Sequence, residues 1–198
     1  MDSLIQQFID DQLRQSYEVK KKLLEDTNLT SLIKEVAKKC VEVYERGNKT
    51  LIAGNGGSAG DAQHMAAELS GRLNFDRPGI PSIALTTNTS ALTAIGNDYG
   101  YENIFSRQVQ SDGVEGDLFL GISTSGNSRN IIKAFEECKK RGIITVGLTG
   151  ASSHKMNEIC DYCIMVPSES TARIQECHIL IIHTICSVVE ETLFGKGF

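Results

Sequence analysis

Residues 51–72, LIAGNGGSAGDAQHMAAELSGR, run from an aliphatic strand through a glycine-rich turn into a helix. A strand that passes directly into a helix through such a turn is the repeating unit of a parallel α/β sheet. Runs of the same kind recur as TLIA at 50–53, PSIALT at 81–86, DLFLGIS at 117–123, IITVGLT at 143–149 and YCIMVP at 162–167. They are rich in β-branched and aliphatic side chains and lack the alternation of a half-exposed strand, so each reads as a strand buried on both faces. Helical segments fall between them at 59–72, about 90–96, 129–141 and 152–158. The pattern predicts an α/β fold, a doubly wound five-stranded parallel sheet whose ligand site lies at the carboxyl ends of the strands.

Outside this alternation lie helices. Residues 4–25 place Leu4, Ile5, Phe8, Ile9, Leu13, Val19, Leu23 and Leu24 in a helical stripe, and a second helix follows TNLT with Leu32, Ile33, Val36, Cys40, Val43 and Tyr44 in period. Gly47 is a natural stop. This N-terminal extension, about 1–48, carries more apolar surface than one core covers and reads as subunit-packing material. A last helix spans about Ser170 to Leu193; its apolar positions Ile174, Cys177, Ile181, Ile185 and Val188 are interrupted by Gln175, His178 and His183. With no repeat or linker, residues 1–198 read as one domain.

A net charge of -5 and a pI near 5.4 argue against a nucleic-acid partner, which needs a basic surface. The first thirty residues are charged at both ends and hold no apolar run of the length of a signal peptide or a membrane span, so the expected location is cytoplasmic, with no membrane partner. The six cysteines are then expected as reduced, mostly buried thiols. Cys160 and Cys163 form a C-x-x-C within CDYCIMV, which reads as a strand. Residues three apart on a strand point to opposite faces, so no metal or redox role is assigned to them.

Gly54, Gly56 and Ala59 fit G-x-G-x-x-A, yet PSIALTTNTS ends in threonines and asparagine where a dinucleotide fold wants an acidic residue for the ribose. No Lys-Ser or Lys-Thr follows for a nucleotide triphosphate, and a tight turn without ligand is the plain alternative. The second strand-to-helix turn says more. GISTSGNSRNIIKAF, 121–135, offers the hydroxyls of Ser123, Thr124, Ser125 and Ser128 beside a helix start, which suits a phosphate monoester; N-capping explains only one of them. His64 and Glu68, at i and i+4, share a helix face and can chelate one ion, and whether Asp61 joins them is open. His154 and His178 read as surface or satisfied core residues. Gln175 and His183 are eight residues apart, about 12 Å along a helix, too far to share one ion with bonds of about 2 Å unless different subunits supply them.

On GNGGSAGDAQHMAAELSGR at 54–72, AIGNDYG at 94–100, GISTSGNS at 121–128 and ARIQECHILIIH at 172–183, in that order, the chain resembles the sugar isomerase (SIS) family over nearly its whole length. It is most similar to the branch that acts on seven-carbon sugar phosphates. The resemblance implies a homotetrameric aldose–ketose isomerase that converts sedoheptulose 7-phosphate to D-glycero-D-manno-heptose 7-phosphate for lipopolysaccharide heptose synthesis, with a zinc ion. By the family pattern Asn55, Gly56, Gly57, Asn97 and Asp98 touch substrate, as do Glu68 and Gln175, while Ser123, Thr124, Ser125 and Ser128 hold the phosphate. His64, Glu68, Gln175 and His183 match the metal ligands, and Glu68 and His183 the acid/base pair, with either as acid or base. Ala172 stands where family members often carry Asp. The competing reading is a non-enzymatic SIS adaptor that binds the bacterial replication initiator; such a protein, or a module that only senses a phosphosugar, needs neither Glu68 nor His183.

Overall fold

The computed structural model describes residues 1–152 and 155–196, and a parallel sheet divides it into two apolar layers. β1 (Thr50–Gly54), β2 (Ser82–Ala84), β3 (Leu118–Ile122), β4 (Ile144–Thr149) and β5 (Tyr162–Met165) lie in the order β2-β1-β3-β4-β5. The register pairs Ile52 with Leu120 and Leu120 with Val146. Alternate residues point to opposite faces, so Ile52, Leu120, Val146 and Ile164 enter one apolar cluster while Leu51, Ala53 and Phe119 enter the other.

Helices α1 (Asp2–Glu25), α2 (Thr27–Glu45), α3 (Gly57–Ser70) and α8 (Thr171–Phe194) occupy the first side. On the second lie α4 (Thr89–Tyr99), α5 (Ile104–Asp112), α6 (Arg129–Lys140) and α7 (Lys155–Ile159). Asp26 separates α1 from α2 and caps the latter, accepting from Asn28 N and Leu29 N at 3.0 Å each. The aliphatic length of α8 would suffice to cross a membrane, yet Ile174, Cys177, Ile181, Ile182, Ile185, Cys186 and Val189 are buried against the sheet, as in a core helix.

Three expectations change. PSIALT pairs only over Ser82–Ala84 and leaves Ile83 37% exposed, because β2 is an edge strand with β1 as its one neighbour. Residues 101–112 form a 3-10 turn and α5, which the sequence reading did not anticipate, although Ile104, Phe105 and Val109 have helical spacing and are buried there. Cys160 lies at a bend before β5 rather than in it, so the opposite-face argument does not apply to Cys160 and Cys163. His154 lies outside the described residues. The N-terminal apolar surface stays uncovered as expected: Leu4, Phe8 and Leu13 on α1 are 69%, 65% and 66% exposed, and an apolar groove of about 950 Å³ runs between α1, α2 and α8.

His178, fully buried on α8, places Nε2 3.3 Å from the Thr149 carbonyl, while its Nδ1 and Thr149 Oγ1 have no partner among the described residues. Burial pushes its pKa down from 6.5 to about 4, against the opposing pull of the Thr149 carbonyl. Between those values the unfolded chain binds a proton that the folded chain does not, so the stabilisation is full above pH 6.5 and is lost as pH falls toward 4. Urea unfolding of the wild type and His178→Gln between pH 7 and 4.5 is expected to show the wild type losing about 2–3 kcal/mol relative to the variant. A pH-independent difference would mean that His178 is not held neutral by the fold.

Candidate active site

The turn after β1 reverses at Gly56, whose φ of +56° suits a residue without a side chain, and α3 begins at once. α3 then runs beside α8. At its start Gly57 lies under Gln175, whose carboxamide would collide with a Cβ there. Farther along, His64 Nε2 is 2.9 Å from Glu68 Oε1 and 2.9 Å from His183 Nε2, and the two imidazoles meet edge to face at 65°. One ligand atom from each of His64, Glu68 and His183 lies within 4.8 Å of the others. Two imidazole nitrogens this close need a proton or a cation between them, since two lone pairs repel. Two imidazoles and a carboxylate, partly open to solvent, are a donor set suited to zinc with a remaining position for substrate.

Gln175 stands apart from this trio. It meets Gly57, seven residues before His64 and so about 10 Å away along α3. Asp61, one turn before His64, is half-buried and its Oδ2 has no partner among the described residues. Burial pushes its pKa up to about 6, with His64 pulling the other way.

The loop between β3 and α6 gathers the serines. Ser123 Oγ lies 2.8 Å from Ser128 Oγ and 3.4 Å from Ser125 Oγ, and Ser125 Oγ accepts from Asn127 N at 3.3 Å. Ser128 occupies the N-cap of α6 without a side-chain cap bond, so capping does not account for its hydroxyl. Thr124 is partly exposed beside them. Asn55 exchanges two amide hydrogen bonds, at 2.8 and 3.0 Å, with buried Asn130 of α6 and accepts a third from Tyr101 at 3.1 Å. These bonds fasten the glycine turn to the serine loop. Asn97 and Asp98 are exposed on α4, with Asn97 Nδ2 donating to Asp98 Oδ1 at 2.8 Å.

Sequence reasoning missed Asn130, Arg77 and Glu190. Arg77 Nε donates to Glu190 Oε1 at 3.0 Å, and its other nitrogens donate to the carbonyls of Glu68, Leu69, Gly71 and Pro78. Glu190 also accepts from Leu73 N and Asn74 N at 2.9 and 2.7 Å. Burial pushes the Glu190 pKa up, but these N–H donors and Arg77 outweigh it and hold the carboxyl below its usual value. The pair therefore closes the carboxyl end of the helix bearing Glu68 against the helix bearing His183. The two residues are 113 positions apart, and no local pattern signals such a partnership.

The family model for the SIS domain matches residues 14–150. Among similar proteins are phosphoheptose isomerase 2 of Campylobacter jejuni, 66% identical over 91% of this chain and 90% of its own, and the phosphoheptose isomerase of Aneurinibacillus thermoaerophilus, 62% identical over 96% of each. Among solved structures, phosphoheptose isomerase GmhA from Neisseria gonorrhoeae superposes with a TM-score of 0.89 at 39% identity, covering 94% of this chain and 99% of its own. The phosphoheptose isomerase from Francisella tularensis gives 0.90 at 36% identity, covering 96% and 100%.

Replacing Glu190 by Leu strands a guanidinium whose side chain is 2% exposed. The expected loss in urea unfolding is about 3–5 kcal/mol, because an uncompensated charge stays buried. Arg77→Met added to Glu190→Leu is expected to restore part of it, since both charges are then gone. A single-variant loss under about 1 kcal/mol would show that the pair does not hold these helices together.

Proposed function

The chain belongs to the SIS domain family, and from that premise we propose that it is an aldose–ketose isomerase that converts sedoheptulose 7-phosphate to D-glycero-D-manno-heptose 7-phosphate. The observation that carries the reading is the meeting of His64, Glu68 and His183 on helices that open beside a serine-lined loop. An adaptor or a sensor of the same fold has no use for that trio. On this reading the product enters heptose synthesis for lipopolysaccharide, in the cytoplasm.

The hydroxyls of Ser123, Thr124, Ser125 and Ser128 and the amino end of α6 bind the phosphate, where hydrogen-bond donors and the helix dipole favour an anion. Asn55, Gly56 and Gly57 contact the sugar beside that loop, and Asn97 and Asp98 complete the contacts from α4. Anchoring the phosphate fixes the opposite end of the sugar, which removes orientational freedom before the chemical step. Isomerisation moves a proton between C1 and C2 through an enediol. Glu68, through the oxygen that His64 does not hold, and His183 are the groups that take this proton and return it. Zinc held by His64, Glu68, Gln175 and His183 would polarise the carbonyl and offset the growing negative charge on the oxygens.

The working unit is a homotetramer. The bare apolar face of α1 and the groove between α1, α2 and α8 support burial against further copies of the chain. Gln175 and His183 serve different sites in that assembly, a reading supported by their positions at Gly57 and His64.

Purified protein is expected to isomerise sedoheptulose 7-phosphate, to lose the activity on dialysis against a strong chelator, and to regain it with added zinc. Full activity in metal-free protein would refute the ligand assignment. Gln175→Ala and His183→Ala proteins, each inactive, are expected to regain activity when unfolded and refolded together, since mixed tetramers contain sites with both residues intact. Mixed tetramers as inactive as their parents would place all four ligands on one chain.

A further inference from the structure

Cys160 and Cys163 are the two half-buried cysteines of the chain, whereas Cys40, Cys138, Cys177 and Cys186 are buried. α7 ends at Ile159, the backbone bends, and β5 starts at Tyr162, so the chain turns between the two cysteines. Cys160 N still donates to Met156 O at 3.0 Å, which sets Cys160 at the end of the helix, while Cys163 stands on β5 opposite Gly147 of β4. A Cβ added to Gly147 would lie 3.1 Å from Cys160 Sγ and 3.4 Å from Cys163 Sγ. The missing side chain of Gly147 is thus the space into which both sulfurs turn.

We propose that Cys160 and Cys163 form a thiol–disulfide exchange site, which closes to an intramolecular disulfide by reaction with a low-molecular-weight disulfide. The roles of the two sulfurs differ. A hydrogen bond from the Cys163 thiol, followed by the backbone N–H groups of Cys160 and Gly147, outweighs burial and holds the Cys160 thiol below its usual pKa, while its partner is pushed up. Cys160 is therefore the attacking thiolate. It bonds to one sulfur of the small disulfide and expels the other as a thiolate. Cys163 then gives up its proton and attacks Cys160 Sγ, which releases the second small thiol. Two protein thiols become one S–S bond, and the two electrons leave on two molecules of small thiol. Burial pushes the Cys40 thiol up to about 12 and raises Cys138, Cys177 and Cys186 as well, which sets these four apart from the pair. The site lies at one end of α7, whose Met156 N donates at 3.3 Å to the Gly126 carbonyl of the serine loop.

The test uses native full-length protein incubated with excess oxidised glutathione, quenched in acid, alkylated under denaturing conditions and digested with trypsin. Residues 156–173 form one tryptic peptide that contains both cysteines. That peptide is expected to become lighter by two hydrogens, without glutathione attached, and to return to the dithiol with dithiothreitol. The count of titratable thiols falls from six to four. Cys163→Ser is expected to stop at a glutathione adduct on Cys160, and Cys160→Ser to resist modification at Cys163. A peptide that remains a dithiol, a wild-type product that stays glutathionylated, or a Cys160→Ser protein modified at Cys163 as fast as Cys163→Ser is at Cys160 would each overturn the proposal.

Discussion

The packing of α3 along α8 is the contact on which the candidate site depends. Neither helix carries a complete metal-binding group: His64 and Glu68 come from one and His183 from the other. Helix packing by side-chain complementarity fixes an axis and a spacing more firmly than it fixes sliding along the axis, and α3 faces inward with Ala62 and Ala66 alternating with the larger Met65 and Leu69. A polar lock removes that freedom. The Arg77–Glu190 pair supplies one, because a displaced register would leave a buried charge and the N–H groups of Leu73 and Asn74 without partners.

The sheet order explains why the glycine turn and the serine loop are neighbours at all. β1 lies between β2 and β3, so the chain leaves β1 toward one edge and resumes at β3 toward the other. The turns after these two strands border the crevice that such a reversal opens. Asn55 follows the first strand and Ser123 the second, and the Asn55–Asn130 exchange spans the gap. The serine hydroxyls and the helix that carries His64 and Glu68 are brought together by topology, not by sequence proximity.

What the sequence disclosed follows from the same distinction. Parallel strands, α3, α6 and α8 were legible because their signals are local: uninterrupted aliphatic runs, glycine turns and helical period. The His64/Glu68 pair was legible for the same reason, and the serine loop because four hydroxyls exceed what capping uses. α5 was not, since Ile104, Phe105 and Val109 are interleaved with polar residues, among them Ser106 and Gln108, which are also buried. The opposite-face argument for Cys160 and Cys163 failed because β5 starts at Tyr162, two residues past Cys160, where the chain still bends. Arg77, Glu190 and Asn130 act across the fold, and single positions carry no trace of a partner 75 or 113 residues away.

The site also departs from what stability alone favours. Two imidazoles meet across 2.9 Å, and Asp61 Oδ2 is buried without a donor among the described residues. An unpaired group such as Asp61 Oδ2 costs about 1–3 kcal/mol when buried, so the surrounding scaffold must hold it in place. It does so with satisfied groups set away from the trio: Glu190 with three N–H donors, Asn130 with Asn55, and Asp26 at the start of α2. This division places fully bonded polar groups behind His64, Glu68 and His183, whose side chains bond to one another, so a ligand that replaces those bonds takes nothing from the scaffold.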